Sequence, residues 1–187
     1  RGLHIDKDHF MTISPDEGSM NRAIYLANVL GVDMGMYYKR LDYSRYVNGR
    51  HPIAAYEFLG PKIEGKDMIL IDDMISSGDT IIKIASLLKE KGAGRVYICS
   101  TFGFFTDGLD KFDDAYKKGY FDKLLTTNLV YQSPELLEKP YYISCDMSKY
   151  IALIIDTLNH DTSVSHLLNP VDRIKRCVTN YMSQHEK

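Results

Sequence analysis

The chain has little of what marks an unusual environment. Its three cysteines, Cys99, Cys145 and Cys177, are an odd number at wide spacing without a Cys-x-x-Cys pair, which argues against a disulfide framework and a structural zinc site. Reduced thiols in a cytosolic protein are the expectation. No stretch approaches the roughly 20 consecutive apolar residues of a membrane span, and residues Arg1 to His9 contain no apolar region of a signal peptide. The chain therefore reads as soluble and cytoplasmic, with no membrane partner. Net charge is also small: 23 Lys and Arg against 25 Asp and Glu give a formal -2, no field for general nucleic-acid binding. The first residue is Arg1 rather than Met, which is read as the sign of a longer parent chain.

What is present is ordinary globular material. Hydrophobic residues make up 44% and charged ones 26%, with 13 Gly and 6 Pro, outside the ranges of disordered or collagenous chains. A length of 187 residues suits one domain, 1–187. His9 to Ser14 is a short apolar run leading into Pro15 and Gly18, a buried strand followed by a loop. Ser19 then stands where a helix cap is expected, before Ala23, Ile24, Ala27 and Leu30 at helical spacing and a closing Gly31. Val32 to Tyr38 reads as a second strand. Residues 39–52 are polar, basic and broken by Asn48-Gly49, a loop or exposed hairpin, with Ile53 to Leu59 returning as a strand. Met68 to Ile71 suits the centre of a parallel sheet, and Ile81, Ile84, Ala85 and Leu88 follow at helical spacing up to Gly92.

The pattern continues to alternate. Arg95 to Thr101, Lys123 to Thr127 and Pro140 to Ser144 read as strands, and Leu109 to Lys118, Asp146 to Leu158 and Val171 to Met182 as helices. The last carries Val171, Ile174, Val178 and Tyr181 on one face. Alternation of this kind predicts an α/β fold, a mostly parallel sheet flanked by helices.

In open α/β sheets ligands bind beyond the carboxyl ends of the strands, and two such loops are unusual here. The first holds Asp16, Glu17, Gly18 and Ser19, a flexible turn with two carboxylates, suited to a magnesium ion or ribose hydroxyls. Taken alone it is an ordinary polar turn. The second begins with Asp72 and Asp73 directly after an apolar strand, where two carboxylates are costly without hydroxyls or a cation to meet them. Ser76, Ser77, Gly78, Asp79 and Thr80 then open a helix, offering hydroxyls, backbone N–H groups and a helix amino end to a phosphate dianion. Asp79 has the wrong charge for that task but suits a helix cap. The six histidines, His4, His9, His51, His160, His166 and His185, have no metal-site spacing.

At ILIDDMISSGDT, Ile69 to Thr80, the chain resembles the phosphoribosyl-pyrophosphate motif of the type I phosphoribosyltransferase fold. TISPDEGSMNRA is similar to the pyrophosphate-side loop of ribose-phosphate pyrophosphokinases, YYKR to the start of their catalytic loop, and LTTNL and the segment from Tyr142 to Pro170 to the later parts of a longer bacterial variety. The resemblance spans about residues 9 to 175 and implies transfer of diphosphate from ATP to the 1-hydroxyl of ribose 5-phosphate, giving phosphoribosyl pyrophosphate and AMP. It implies that Ser76 to Thr80 bind the 5-phosphate, that Asp72 and Asp73 bind ribose hydroxyls, and that Asp16 binds Mg2+ and the ribose end of the acceptor. Lys39 and Arg40 are then the clamp on the transferring group, in a basic loop where Arg45 and Arg50 add to them and Asp42 is the one acid. The nearby tyrosines Tyr37, Tyr38, Tyr43, Tyr46 and Tyr56 read as packing.

The resemblance covers only the carboxy-terminal half of such enzymes, whose amino-terminal half supplies most of the ATP pocket and part of a subunit interface. Full-length members form homo-oligomers built from dimers, commonly hexamers. Three positions depart from the pattern: Leu41 in place of a second arginine, Phe102 in place of a histidine, and Asp79 in place of a small residue, where its charge opposes a phosphate. Two other readings stay open, a phosphoribosyltransferase that joins a base to phosphoribosyl pyrophosphate and a non-catalytic regulatory relative.

Overall fold

A computed structural model describes residues 4–41, 43, 44, 46, 49 and 53–185. Its centre is a seven-stranded sheet in the order β3-β2-β1-β4-β5-β6-β7, built from β1 (Phe10–Ser14), β2 (Asp33–Leu41), β3 (Ile53–Leu59), β4 (Asp67–Ile75), β5 (Val96–Gly103), β6 (Lys123–Thr127) and β7 (Tyr142–Cys145). Every neighbouring pair is parallel except β2 and β3, so the mostly parallel sheet expected from the alternating pattern is what forms. All five residues of β1 are buried, as a strand covered on both faces requires. Alternation along it divides the core: Met11 and Ile13 join Met68, Leu70, Ile84, Leu88, Ile98 and Phe112, while Phe10 joins Ala27 and Val32 on the other face.

The helices are α1 (Met20–Leu30), α2 (Asp79–Glu90), α3 (Asp110–Lys117), α4 (Pro134–Leu137), α5 (Ser148–Asn159), α6 (Ser165–Leu168) and α7 (Val171–His185). Ile81, Ile84, Ala85 and Leu88 of α2 are all buried, as their spacing predicts, whereas Ile24 of α1 is exposed beside buried Ala23 and Ala27. Val171, Ile174, Val178 and Tyr181 are half-buried amid exposed neighbours, and α7 packs on α1. Gly31 closes α1 at φ 69°, a left-handed position that favours glycine. The short helices α4 and α6 have no periodic signal of their own; α4 forms because the Ser133 hydroxyl accepts the Leu136 N–H at 3.2 Å and Pro134 opens the turn.

Four expectations change. Ser19 makes no side-chain cap on α1, because its hydroxyl is committed to Asp72. The residue flanking α2 is Gly78, not Asp79, which is the first helical residue. Asp72 and Asp73 lie within β4 rather than after it. Lys39 and Arg40 likewise belong to β2, whose antiparallel ladder with β3 runs from Met36–Leu59 to Leu41–Ile53, with a register shift between Arg40 and Leu41. Asp42, Arg45, Asn48, Arg50 and His51, which carry much of the expected basic loop, lie outside the described residues. Among the described residues no helix is long and apolar enough to cross a membrane.

Candidate functional site

From β1 the chain crosses through α1 to β2 on one side, while β4 lies on the other. The connections diverge between β1 and β4, and such a reversal leaves a crevice at the carboxyl ends of the two strands. Both unusual loops open into it.

On the β1 side, Asp16 flanks a single 3-10 turn, Glu17–Ser19, and its Oδ1 accepts the Gly18 N–H at 3.0 Å. The Ser14 hydroxyl donates to the Asp16 carbonyl at 2.6 Å. The other oxygen of that carboxylate, Oδ2, stands 3.6 Å from Lys39 Nζ. Asp16, Glu17, Gly18 and Lys39 line a cavity of about 300 Å³. Asp16 also borders a second cavity, of about 150 Å³, lined by Asp72 and by Met74 to Ile81. Among the described residues it is the one the two spaces share.

On the β4 side the acidic pair divides, because successive strand residues face opposite ways. Asp72 turns into the cavity, where its Oδ1 accepts from the Ser19 hydroxyl at 2.7 Å and the Asp73 N–H at 2.9 Å. Burial pushes the Asp72 carboxyl above the usual range; the neighbouring Asp73 side chain and the Asp16 charge add to this, against the two hydrogen bonds. Asp73 instead meets Arg22 of α1 at 3.3 Å and does not line the cavity.

The turn into α2 depends on Gly78. Its φ is 85°, and a Cβ there would stand 2.3 Å from the Phe112 ring, so both conformation and space require glycine. The Asp79 side chain bridges the turn and α3: its Oδ1 is 2.8 Å from Lys111 Nζ and its Oδ2 accepts from the Ser77 hydroxyl at 3.0 Å, while the residue also borders the cavity. These two contacts, Lys111 first, hold the Asp79 carboxyl below its ordinary pKa. The Ser76 carbonyl accepts the Thr106 N–H at 3.1 Å, and the two hydroxyls lie 3.4 Å apart.

Arg40 does not join Lys39. Its Nε is 2.7 Å from Glu57 Oε1 on β3, and the Tyr38 hydroxyl donates to the other Glu57 oxygen at 3.1 Å. Phe102, at the end of β5, stacks on Phe104 with centroids 6.2 Å apart. Lys111 and Thr106 were missed by sequence reasoning; the signal in reach was a lysine four residues after Asp107, which forms an i,i+4 pair at 2.8 Å. A larger cavity, about 400 Å³ and lined by His4, His9, Asp67 and Arg95 among others, sits at the opposite end of the strands, away from both loops. Among the described residues no three His, Cys, Asp or Glu side chains cluster as a metal site.

A mostly parallel sheet with a crevice between β1 and β4, a carboxylate turned into it and a glycine-dependent turn opening α2 is the arrangement of the type I phosphoribosyltransferase fold. The solved phosphoribosylpyrophosphate synthetase of Mycobacterium smegmatis has this fold too, matching 81% of the chain and 45% of its own length with a TM-score of 0.67 at 24% identity. Residues 50–169 match the family described as phosphoribosyl synthetase-associated domain, and the chain belongs to that family. A ribose-phosphate pyrophosphokinase of Vibrio parahaemolyticus is 29% identical over 170 residues, 90% of this chain and 50% of the relative. One from Thermococcus kodakarensis is 31% identical over 121 residues, 64% of this chain and 39% of that protein. The chain spans about half the length of the curated relatives it matches.

Proposed function

We propose that the chain, taken as one domain over residues 1–187, is the ribose 5-phosphate-binding, carboxy-terminal half of a ribose-phosphate diphosphokinase. In the reaction the 1-hydroxyl oxygen of ribose 5-phosphate bonds to the β-phosphorus of ATP. The bond from that phosphorus to the α–β bridging oxygen breaks, AMP leaves with the electron pair, and the hydroxyl proton is released. One observation carries the reading: a carboxylate, Asp72, and an anion loop, Ser76 to Thr80, border one cavity of about 150 Å³. Asp72 already accepts a hydroxyl hydrogen bond, from Ser19, as it would from ribose. The 5-phosphate would sit on the N–H groups and hydroxyls of the loop. Glu17, Gly18 and Ser19 would border the diphosphate, with Lys39 the cation beside it. The pairing of Arg40 with Glu57 means that Arg40 would have to exchange partners to act as the second clamp.

Mg2+ fits this donor set in one way. Asp16 and Asp72 offer hard carboxylate oxygens on one cavity, without a third His, Cys, Asp or Glu clustered with them among the described residues, which suits a cation held by one or two carboxylates and by substrate oxygens. Asp16 would hold it, and the bound ion would neutralise charge on the transferring phosphoryl group. The cytoplasmic location and a homo-oligomer based on dimers, up to a hexamer, belong to the same proposal. Three free cysteines agree with the first. Exposed Ile151, Ile155 and Leu158 on α5, one helix face, agree with the second.

Calorimetric titration with ribose 5-phosphate and then MgATP tests the reading. Ribose 5-phosphate should bind, and Asp72→Ala should weaken it by about tenfold or more. Asp73→Ala should do less, because Asp73 faces Arg22. MgATP should bind poorly without the other half. Absence of ribose 5-phosphate binding would favour a non-catalytic relative, the second reading, which the Arg40–Glu57 pair and the apolar Phe102 support. Pyrophosphate release that depends on an added base would mark a phosphoribosyltransferase instead.

A further inference from the structure

Asp79 is the anomaly of the anion loop, a carboxylate on the first turn of α2 where a phosphate dianion is to sit. Left to itself it would repel the ligand. Three observations show how the fold deals with it. First, Lys111 Nζ contacts Asp79 Oδ1 at 2.8 Å while the Ser77 hydroxyl holds Oδ2 at 3.0 Å, so both carboxylate oxygens are engaged although the residue borders the cavity. Second, Lys111 is itself held, by Asp107 at 2.8 Å, and Asp107 is held by the Thr106 hydroxyl at 3.2 Å. Third, the next residue, Phe112, is fully buried with its ring beneath Gly78, which fixes the height of α3 against the loop.

We propose that Lys111 is a positioning residue for phosphate binding: it holds the Asp79 carboxylate from α3 and offsets its charge, and so allows a loop that contains an acid to take the 5-phosphate. The inference rests on the reading of Ser76 to Thr80 as the phosphate loop. It adds a residue from a different helix, thirty-odd positions away in sequence, on which affinity for a sugar phosphate depends. Asp79 and Lys111 form one unit, and neither has its role without the other.

The α3 end is anchored independently of Lys111, by Phe112 under Gly78 and by the Thr106 N–H on the Ser76 carbonyl. Replacement of the lysine should therefore alter charge more than fold. The test is titration of ribose 5-phosphate into the wild-type chain, Lys111→Gln, Lys111→Arg, Asp79→Asn and the Lys111→Gln plus Asp79→Asn double variant, with a thermal melt of each. Lys111→Gln should raise Kd by about tenfold, the effect of one uncompensated charge several ångströms from a dianion at a partly screened surface. Its melting temperature should stay near that of the wild type. Lys111→Arg should keep affinity, and the double variant should recover it to within about twofold of wild type. Asp79→Asn alone, with Lys111 now unopposed by that acid, should bind more tightly, and it reads the proposal even if Lys111→Gln does not fold. Unchanged binding by Lys111→Gln, or a double variant as weak as Lys111→Gln, overturns the inference while the phosphate loop stands. A wild-type chain that binds no ribose 5-phosphate overturns the loop reading and the inference with it.

Discussion

Asp72 gives the site its character at the scale of one residue. A half-buried carboxylate near Asp16, with its pKa raised mainly by burial, is held at some expense to the fold. A raised carboxyl pKa means that the native state binds the proton more readily than the unfolded chain. Stability is therefore lost as pH rises from the ordinary carboxylate value through the raised one. Asp72→Asn keeps an acceptor for the Ser19 hydroxyl and removes the charge. The variant should melt at a higher temperature than wild type at pH 7.5, with the gap closing towards pH 4, while its ribose 5-phosphate affinity falls by about tenfold or more. Melting curves at the two pH values check it, and a variant less stable at pH 7.5 would count against the burial argument. The acidic pair was legible in the sequence, but its division was not. Which of two adjacent carboxylates faces the crevice depends on strand phase, and the strand was expected to stop at Ile71.

At the scale of elements, the junction of β4 and α2 is tightly constrained by Gly78 against the Phe112 ring. Gly78→Ala should cost about 2 to 5 kcal/mol, from a left-handed φ in a non-glycine residue and overlap with the Phe112 ring. Phe112→Leu in the Gly78→Ala background should add less than it does in the wild-type chain. Urea unfolding of the four proteins measures this, and simple additivity would remove the steric half of the argument. Sequence periodicity located this helix well, because Ile81, Ile84, Ala85 and Leu88 sit over an apolar sheet. It misplaced the ends of β2 and β4, since polar residues at the tips of strands look like loop until their partners are known. Arg40 has its partner through an antiparallel register with β3, and no local pattern reports that register. Lys111 eluded the sequence for the same reason, since its role depends on how α3 lies against the turn into α2.

For the molecule as a whole, ligand and fold are linked. If the crevice binds ribose 5-phosphate only in the native state, a concentration of 100 times Kd should add about 2.7 kcal/mol of stability. For a chain of this size that is about 5 to 10 °C in melting temperature. MgATP at the same concentration should move it much less. Differential scanning calorimetry decides, and equal shifts for the two ligands would argue that this half holds a nucleotide site of its own. The crevice has a further consequence through its topology. β1 meets β4 in register Phe10 to Asp67, so its two walls come from parts of the chain separated by the whole β2–β3 hairpin. Closing that distance costs entropy before any contact repays it. Neither wall can form a partial site early in folding, and the proposed affinity for a sugar phosphate would arise only once the non-local strand pairing is complete.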